Sequence, residues 1–368
     1  SPELPQYFYW TFLFGFGYTL YMVMEVYAWL QGRSVLSNFL KEVLFRLSVT
    51  VLIVLVTLKV ITSFDVFIGI YSFTYVIIVA ILFLFFIKRK ELHLTIKVSN
   101  VTRRFRKKIM QLASYVWGAS LVFNVASVFD TIVIAAVMPN GMAYAGIYAL
   151  AQNVSSLIQA PQRAIISTAT GPLSVAWKEK NYGKINRIYH RSSINQLIFS
   201  CAMFSLIWLN FDDGISSFHL QEGYRAAKWV FFYIGLARII DMGTGLNSQI
   251  IVTSTRWRFE FISGVILLLL TLPLNWQLTR HFGIIGPAFS NLISFSIYNL
   301  IRYLFLWRKF KMQPFTEKSL YAVLLAISVY FLCYWLFEDY TGFQWIVFRS
   351  LTFITVYATG MFLLKLTP

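Results

Sequence analysis

The composition of this 368-residue chain is that of a membrane protein. Apolar residues make up 58% of it and aromatic residues 18%, whereas charged residues make up only 13%. Soluble domains carry about 25% charged residues, and disordered chains are poor in aromatic residues, so both classes are excluded. At roughly 20 residues per crossing, the chain is long enough for about ten to thirteen transmembrane helices.

The net charge of +17 arises from 32 Lys and Arg residues against 15 Asp and Glu residues. In a soluble protein such an excess would favour nucleic-acid binding. Here the basic residues cluster between apolar runs, where the positive-inside rule places them, so we expect no nucleic-acid partner. Cys201 and Cys333 lie inside apolar runs and the histidines lack ligand spacing, so neither a disulfide nor a metal site is predicted.

Apolar windows predict eleven membrane spans. They run near 7–30, 42–60, 65–87, 110–138, 142–169, 193–211, 228–253, 259–279, 283–307, 319–337 and 343–364. The span at 142–169 is the most polar, because it contains Gln152, Asn153 and Arg163 together with several serines and glutamines. Such a helix should face protein or a water-filled cavity rather than lipid.

Lys and Arg residues are distributed unevenly between the two sets of predicted loops. One set holds 23 of them and the opposite set holds 4, which predicts a cytoplasmic C-terminus. Eleven crossings then put residue 1 on the outer side, yet the chain opens with Ser-Pro-Glu and has no initiator Met or signal peptide. We therefore expect an odd number of helices to precede this sequence, with a miscounted span as the alternative.

Three motifs, taken in order, carry a resemblance to a known family. The first is Asp130-Thr-Ile-Val-Ile, a turn at Pro139-Asn-Gly, and then Gly146-Ile-Tyr148-Ala-Leu-Ala151. The second is Gly171-Pro-Leu-Ser174 before a basic amphipathic loop at Lys178–Arg191, and the third is Gly283-Ile-Ile-Gly286-Pro-Ala288-Phe-Ser-Asn291. In order and spacing they resemble the seventh, eighth and twelfth helices of the multidrug/oligosaccharidyl-lipid/polysaccharide exporter superfamily, in particular its polysaccharide (O-antigen type) flippases.

The resemblance implies an all-α, polytopic membrane protein with about fourteen helices in two six-helix lobes plus a terminal pair. The eleven predicted spans would be the fourth to the fourteenth helix. The implied regions are the remainder of an N-terminal lobe at 1–87, a basic cytoplasmic linker at 88–109, a C-terminal six-helix lobe at 110–310 and a terminal helix pair at 311–368. The linker is expected to lie as an amphipathic segment on the anionic inner leaflet.

The function implied by the resemblance is flipping of undecaprenyl-diphosphate-linked oligosaccharide across the bacterial inner membrane by alternating access, for export of polysaccharide such as lipopolysaccharide. The expected partners are this lipid-linked oligosaccharide, membrane lipids and other polysaccharide assembly proteins. No enzymatic activity and no cofactor are expected, and the coupling ion is left open between Na⁺ and H⁺. The alternatives are a cation-coupled multidrug exporter of the same superfamily and a membrane-bound O-antigen polymerase or ligase.

One departure from the family pattern bears on the substrate. The lipid II branch has an Arg early in its eighth helix, where this chain has Gln152-Asn153. The diphosphate site would then be built differently. This difference favours a capsule, O-antigen or exopolysaccharide substrate over lipid II.

Moving a lipid diphosphate requires a hydrated cavity with cationic groups, and Arg suits phosphate because its guanidinium offers a fork of donors. The candidate substrate-binding residues are Arg163, Arg238, Asn153 and Arg46. Arg238 lies near the middle of its span, and Asp241 follows on the same helical face, so these two side chains can also neutralise each other. For Arg163 and Arg46, which lie nearer to helix ends, snorkelling to the interface is the alternative.

The candidate cation-coupling residues are Asp130, Asn275, Glu25 and Asp241. Asp130 lies about 12 Å inside the outer face, where an unpaired carboxylate is unfavourable. In related flippases an acidic residue at this position can contribute to a cation or proton site, and the region of Asn275 also supplies such ligands. A hydrogen-bonded polar pair is the alternative for Asp130 and for Glu25.

The charge distribution predicts which loops face outward. A cysteine introduced at Asn140 or Gly214 should react with an impermeant thiol reagent added to intact cells, whereas a cysteine at Asn181 should react only after lysis. Labelling with and without lysis measures this difference and controls for the reactivity of each cysteine. The reversed pattern would overturn the orientation.

Overall fold

The structure is a computed structural model that describes residues 7–92 and 98–366. Within these ranges the chain is helical with short connecting turns and contains no strand, which confirms the all-α class. The helices form two compact units, Ser1–Phe105 with Ser167–Pro172 and Arg106–Ile166 with Leu173–Pro368. Residues 93–97, which belong to the predicted linker, lie outside the described residues.

Fourteen α-helices are present in the described ranges. They are α1 (Phe8–Leu30), α2 (Ser34–Phe39), α3 (Phe45–Thr57), α4 (Phe64–Lys88), α5 (Asn100–Val137), α6 (Gly141–Ser156), α7 (Ala160–Lys178), α8 (Tyr182–Ser217), α9 (Ala227–Gly243), α10 (Asn247–Thr253), α11 (Arg258–Phe282), α12 (Ile285–Phe310), α13 (Glu317–Leu336) and α14 (Phe343–Leu363). A π-helical turn joins α2 to α3, a 3₁₀ turn joins α6 to α7, and α9 and α10 meet at a bend of 47°. Each predicted span coincides with one helix or with one such interrupted pair.

Five of the described helices, α4, α8, α11, α13 and α14, are each long and apolar enough to cross a bilayer, and the bent pair α9–α10 makes a sixth candidate. The other predicted spans are interrupted or carry more polar residues. Large apolar side chains on these helices are exposed, for example Trp335 (75%) and Phe331 (62%) of α13. An apolar surface of this kind is stable in lipid and not in water, so the helices belong to a membrane protein.

Two basic stretches that the sequence assigns to connections are partly helical. The loop predicted at Lys178–Arg191 is short, because α8 begins at Tyr182 after Asn181 accepts a hydrogen bond from the backbone N–H of Lys184 at 3.0 Å. Similarly, α5 begins at Asn100, inside the predicted linker. At 38 and 36 residues, α5 and α8 are about 57 and 54 Å long, well beyond the thickness of the hydrocarbon core.

The first unit packs α1 against α4. Tyr21, Tyr75 and Phe86 are buried at this contact together with smaller apolar residues. The hydroxyl of Tyr21 donates a hydrogen bond to the backbone carbonyl of Ser37 in α2 at 2.6 Å. A buried tyrosine therefore fixes the helix that follows α1, because its polar group is satisfied only in this arrangement.

The second unit has two apolar clusters on either side of α8. One surrounds Tyr148 and Phe231 and joins α5, α6, α8, α9 and α12, whereas the other joins α8 to α13 and α14. Cys201 and Cys333 are buried in the latter as small apolar residues. An ion pair also joins α14 to α8, because the guanidinium of Arg349 lies 2.8 Å from the carboxylate of Asp213.

Gly141 begins α6 at a point where the chain leaves no room for a side chain. A Cβ atom at this position would lie 2.5 Å from the carbonyl oxygen of Ala135 and 2.6 Å from that of Ile134, at the end of α5. A Cβ atom at Gly146, in the same helix, would meet nothing within 4 Å. The two glycines therefore provide a matched pair for testing this close approach.

We expect Gly141→Ala to lower the thermal unfolding temperature of the purified protein in detergent. The added Cβ forces backbone atoms apart, an effect of about 1–3 kcal/mol. Gly146→Ala should be neutral or slightly stabilising, since Ala favours a helix over Gly by roughly 0.5–1 kcal/mol. An unchanged unfolding temperature for Gly141→Ala would contradict the close approach of α5 and α6.

Candidate functional site

A polar cavity of about 540 Å³ lies within the second unit. Its wall is built from α5, the α6–α7 junction, α9, α10, α11 and α12. The lining residues include Tyr115, Gln162, Arg238, Asp241, Trp257 and Glu260. The cavity therefore brings the polar segment predicted at 142–169 together with the helix that carries Arg238.

The break between α9 and α10 forms part of the cavity wall. Gly245 lies in this break with a φ of +64°, a conformation that other residues adopt only with strain. A Cβ atom there would also lie 3.0 Å from the backbone nitrogen of Ser193. The hydroxyl of Ser193 donates to the carbonyl oxygen of Gly243 at 2.5 Å, so the carbonyl released at the end of α9 is satisfied.

Arg238 lines the cavity and forms no ion pair with any described residue. The carbon at the centre of its guanidinium lies 5.8 Å from the centroid of the Phe295 ring, a cation–π contact. Its Nε atom is buried without a hydrogen-bond partner. The pairing of Arg238 with Asp241 that the sequence permits is therefore not formed, although the two residues are three positions apart on α9.

The Asp241 carboxylate is held by amide side chains instead. Gln159 and Gln162 donate to its Oδ2 atom at 3.3 and 3.2 Å, and Asn299 donates to its Oδ1 atom at 3.2 Å. The hydroxyl of Thr244 donates to the Oδ1 atom of Asn299 at 3.0 Å and fixes that amide. These neutral donors occupy the lone pairs of the carboxylate, so it does not need the guanidinium of Arg238.

A buried ion pair between α11 and α12 completes the cavity wall. The guanidinium of Arg302 bonds to the Oε1 atom of Glu260, and the two side chains are only 5% and 13% exposed. Ser248 donates to the same oxygen at 2.7 Å, and the Arg302 guanidinium lies 3.8 Å from the Tyr298 ring centroid. Neither charged residue is among the sequence candidates. The signal for them is an arginine inside an apolar span, which requires a partner inside the protein.

Asp130 lies in a second buried polar cluster of the same unit. Its Oδ1 atom accepts a hydrogen bond from Asn275 at 2.6 Å, and its Oδ2 atom accepts from Tyr148 at 2.8 Å and Asn291 at 2.5 Å. No Lys or Arg in the described part of the chain forms an ion pair with this carboxylate. The structure thus joins two of the predicted coupling residues, Asp130 and Asn275. It adds two residues of the family-like motifs, Tyr148 and Asn291.

The donor atoms of this cluster suit some cations and not others. Across the described residues, no group of three or more His, Cys, Asp or Glu side chains could hold a metal ion. The Asp130 cluster offers a single carboxylate with hydroxyl and amide groups around it. This set of groups suits a proton or a monovalent cation, and it lacks the ligands that transition metals prefer.

Asn153 and Arg163 do not line the cavity. Both are exposed, on either side of the 3₁₀ turn Leu157–Gln159 that separates α6 from α7. On α7 the cavity is lined by Gln162 and Ile166, and Arg163 points about 100° away from Gln162 around the helix because 3.6 residues complete a turn. The amides of Gln159 and Gln162 face the cavity, whereas Asn153 and Arg163 do not.

Arg46 and Glu25 belong to the first unit, and each has a partner there. The guanidinium of Arg46 lies 2.8 Å from the carboxylate of Glu42 and is largely exposed. Glu25 is buried, and its carboxylate lies 3.0 Å from the ammonium of Lys41. The sequence places Lys41 in a loop, but the residue lies in the π-helical turn between α2 and α3, where it neutralises Glu25.

The comparisons with known proteins identify the fold. No family model matches the chain, and no curated protein matches it by sequence. Among solved structures, the chain is similar to the lipid II flippase MurJ in an inward closed conformation, with a TM-score of 0.61 and 17% identity. The match covers 96% of this chain and 70% of that chain. The chain thus has a fold similar to that of this solved flippase.

The ion pair between Arg302 and Glu260 predicts a large stability effect. Arg302→Met should sharply lower the unfolding temperature in detergent, because it leaves a buried carboxylate unpaired, at about 3–5 kcal/mol. Adding Glu260→Gln should restore most of the loss, since no buried charge then remains. A single variant as stable as the wild type, or a double variant no better than the single one, would contradict a structural role for the pair.

Proposed function

We propose that this chain is part of a membrane transporter that flips a polyprenyl-diphosphate-linked oligosaccharide across the bacterial inner membrane for polysaccharide export. The observation that carries the proposal is Arg238, a cation in the cavity wall that forms no ion pair with any described residue and whose Nε atom is buried without a hydrogen-bond partner. A diphosphate is an acceptor-rich anion that fits a guanidinium fork.

The other charged groups of the cavity support this assignment. Glu260 and Arg302 neutralise each other, and the lone pairs of Asp241 accept three amide hydrogen bonds. Arg238 is therefore the cavity arginine that has no carboxylate paired with it in the described part of the chain. A cavity for lipophilic cations, as in a drug exporter, would instead present a carboxylate that has no cationic partner, whereas Glu260 is paired with Arg302.

The remaining lining suits sugars. Tyr115 packs edge-on against Trp257 and Phe261, with ring centroids 5.4 and 5.2 Å apart, and forms an aromatic corner of the cavity. Gln249 and Ser248 supply polar groups nearby. Sugar rings combine apolar C–H faces with hydroxyl edges, so aromatic and amide groups together can bind them. At about 540 Å³ the cavity is within the roughly 300–1,000 Å³ range of small-ligand sites.

We assign the substrate to the O-antigen, capsule or exopolysaccharide class. The transported lipid-linked oligosaccharide would then be used in polysaccharide assembly, for example of lipopolysaccharide, by other assembly proteins. The support is Gln152-Asn153, which stands where the lipid II branch has an arginine. The solved protein with the similar fold is a lipid II flippase. Our assignment therefore differs from that protein in the sugar that the lipid carries.

We further assign the coupling cation, Na⁺ or H⁺, to the Asp130 cluster. A carboxylate that is 1% exposed and has three neutral donors but no cationic partner in the described part of the chain is suited to take up a positive charge. Asp241 is a weaker candidate because its three amide bonds are part of the cavity wall. Glu25 already has the ammonium of Lys41 as a partner.

The test is binding of farnesyl diphosphate to the purified full-length protein. Arg238→Gln should weaken binding by roughly 10- to 100-fold, because hydrogen bonds to charged groups contribute about 1.5–3 kcal/mol. Arg238→Lys should retain part of the affinity, since it keeps the charge and loses the fork. All variants should have unfolding temperatures close to that of the wild type, because Arg238 has no ion pair to break and only its contact with the Phe295 ring is lost.

Arg225→Gln is the matched control. It removes an exposed arginine that pairs with Glu222 in a connecting turn, and it should leave binding unchanged. Farnesol, which lacks the diphosphate, should bind weakly to every variant. Equal binding of farnesyl diphosphate by wild type and Arg238→Gln would overturn the proposed site. Tight binding of tetraphenylphosphonium with no binding of farnesyl diphosphate would favour the drug exporter.

A further inference from the structure

A second cavity of the same unit, of about 170 Å³, lies at one end of α8, α13 and α14 and shares no lining residue with the cavity that contains Arg238. The charge distribution of the loops predicts that this end faces outward. The wall combines aromatic rings with charged groups. The residues that matter here are Trp208, Lys228, Tyr330, Tyr334, Glu338 and Arg349.

This cavity lies near the ends of membrane-spanning helices. α13 ends at Leu336, so Tyr330 and Tyr334 lie about 9 and 3 Å from its end along the helix axis. Arg349 lies about 9 Å after the start of α14. Tyr and Trp side chains are enriched at this depth of a bilayer, where hydrocarbon gives way to head groups. The cavity is therefore at the right depth to meet the head group of a lipid.

Most of the charged groups at the cavity neutralise one another. The ammonium of Lys228 pairs with the carboxylate of Asp212, and the guanidinium of Arg349 lies 2.8 Å from the carboxylate of Asp213. Glu338 is exposed and forms no ion pair with any described residue. One negative charge thus remains at the cavity, which favours a positively charged ligand.

The chain itself shows how an ammonium group binds at this place. The Nζ atom of Lys228 lies 4.9 Å from the centroid of the Trp208 ring while it pairs with a carboxylate, so an aromatic face and a carboxylate hold one cation together. Glu338 offers a second carboxylate at the cavity. The stacked rings of Tyr330 and Tyr334, with centroids 6.2 Å apart, offer a second aromatic surface. Together these groups can receive an ammonium from outside the chain.

A hydrogen-bond donor at the cavity also lacks an acceptor. The side chain of Arg349 is only 8% exposed, and its Nε atom is buried with no partner among the described residues. The side chain of Lys228 is 27% exposed, so its ammonium can contact a ligand in addition to its carboxylate partner. A phosphodiester is an acceptor-rich group that suits such cationic donors.

We propose that this cavity binds the head group of a phospholipid in which a primary ammonium lies next to a phosphodiester, as in phosphatidylethanolamine. The ammonium lies between Glu338 and the two tyrosine rings, and the phosphodiester lies beside Lys228 and Arg349. The inference does not depend on the proposed function, because the two cavities have no lining residue in common.

The size of the cavity and the surface beside it agree with this ligand. At roughly 30 Å³ per water molecule, about 170 Å³ is the space of about six water molecules, which is enough for a small head group. On α13, Phe331 and Trp335 are 62% and 75% exposed, and they provide an apolar surface for the acyl chains. The head group and the chains are therefore both accommodated at this end of α13.

Binding of short-chain lipids to the purified full-length protein in detergent tests the site. Wild type should bind dioctanoyl phosphatidylethanolamine at least about fivefold more tightly than dioctanoyl phosphatidylglycerol, which lacks the ammonium. Glu338→Gln keeps the size of the side chain and removes its charge, so it should weaken binding of the ethanolamine lipid about tenfold. Tyr334→Leu removes an aromatic face and should weaken it roughly two- to fivefold.

Asp339→Asn is the matched control. It removes the neighbouring carboxylate, which does not line the cavity, and it should leave binding unchanged. Equal binding by wild type and Glu338→Gln would overturn the site, as would an equal loss in Asp339→Asn. Phosphatidylglycerol bound as tightly as the ethanolamine lipid would overturn the role of the ammonium. Free phosphoethanolamine bound as tightly as the lipid would overturn a lipid as the ligand. Unfolding temperatures close to that of the wild type confirm that each variant is folded.

Discussion

Within a bilayer, buried polar groups must find their partners inside the protein, and this constraint organises the second unit around α12. Three polar side chains lie along α12, and each meets a carboxylate from a different helix. The pairs are Asn291 with Asp130 of α5, Asn299 with Asp241 of α9, and Arg302 with Glu260 of α11. These contacts fix the orientation of the helices around α12, because rotation of α12 would leave several polar groups without partners at once.

Arg238 differs from these residues because it has no carboxylate partner among the described residues, and this difference marks the candidate site. Its aromatic contact with Phe295 keeps the guanidinium in place without using its donors. The chain changes direction at Gly245, after α9 ends, and residues of α10 then form part of the cavity wall. A guanidinium is therefore held beside open space, as the proposed binding of a diphosphate head group requires.

The helices were accessible to sequence reasoning, because apolar windows and the positions of basic residues report directly on the bilayer. The family resemblance also named Asp130 and Asn275 as candidate coupling residues, and the structure places their side chains in contact. The side-chain partners were not, since helical spacing alone cannot say whether Asp241 turns toward Arg238 or toward amides on other helices. The lengths of α5 and α8 were underestimated because hydropathy marks the lipid-facing part of a helix and not its polar extension.

The cavity could not be derived from periodicity either. Its lining on α7 depends on the 3₁₀ turn after Ser156, which sets the direction in which Gln162 points. Arg302 and Glu260 were passed over because they lie in spans whose neighbouring residues are apolar or basic. A rule that every charge inside a span requires a named partner would have selected both, together with the buried Arg349.

Movement of a lipid diphosphate between leaflets is the central claim of this account, and it can be measured directly. The full-length protein would be reconstituted in vesicles with a fluorescent polyprenyl-diphosphate disaccharide in both leaflets, and the outer label quenched with impermeant dithionite. The account predicts that the inner-leaflet label is also lost with time in vesicles that contain the protein, and that it stays protected in vesicles without protein. Protection of the inner-leaflet label in both preparations would contradict it.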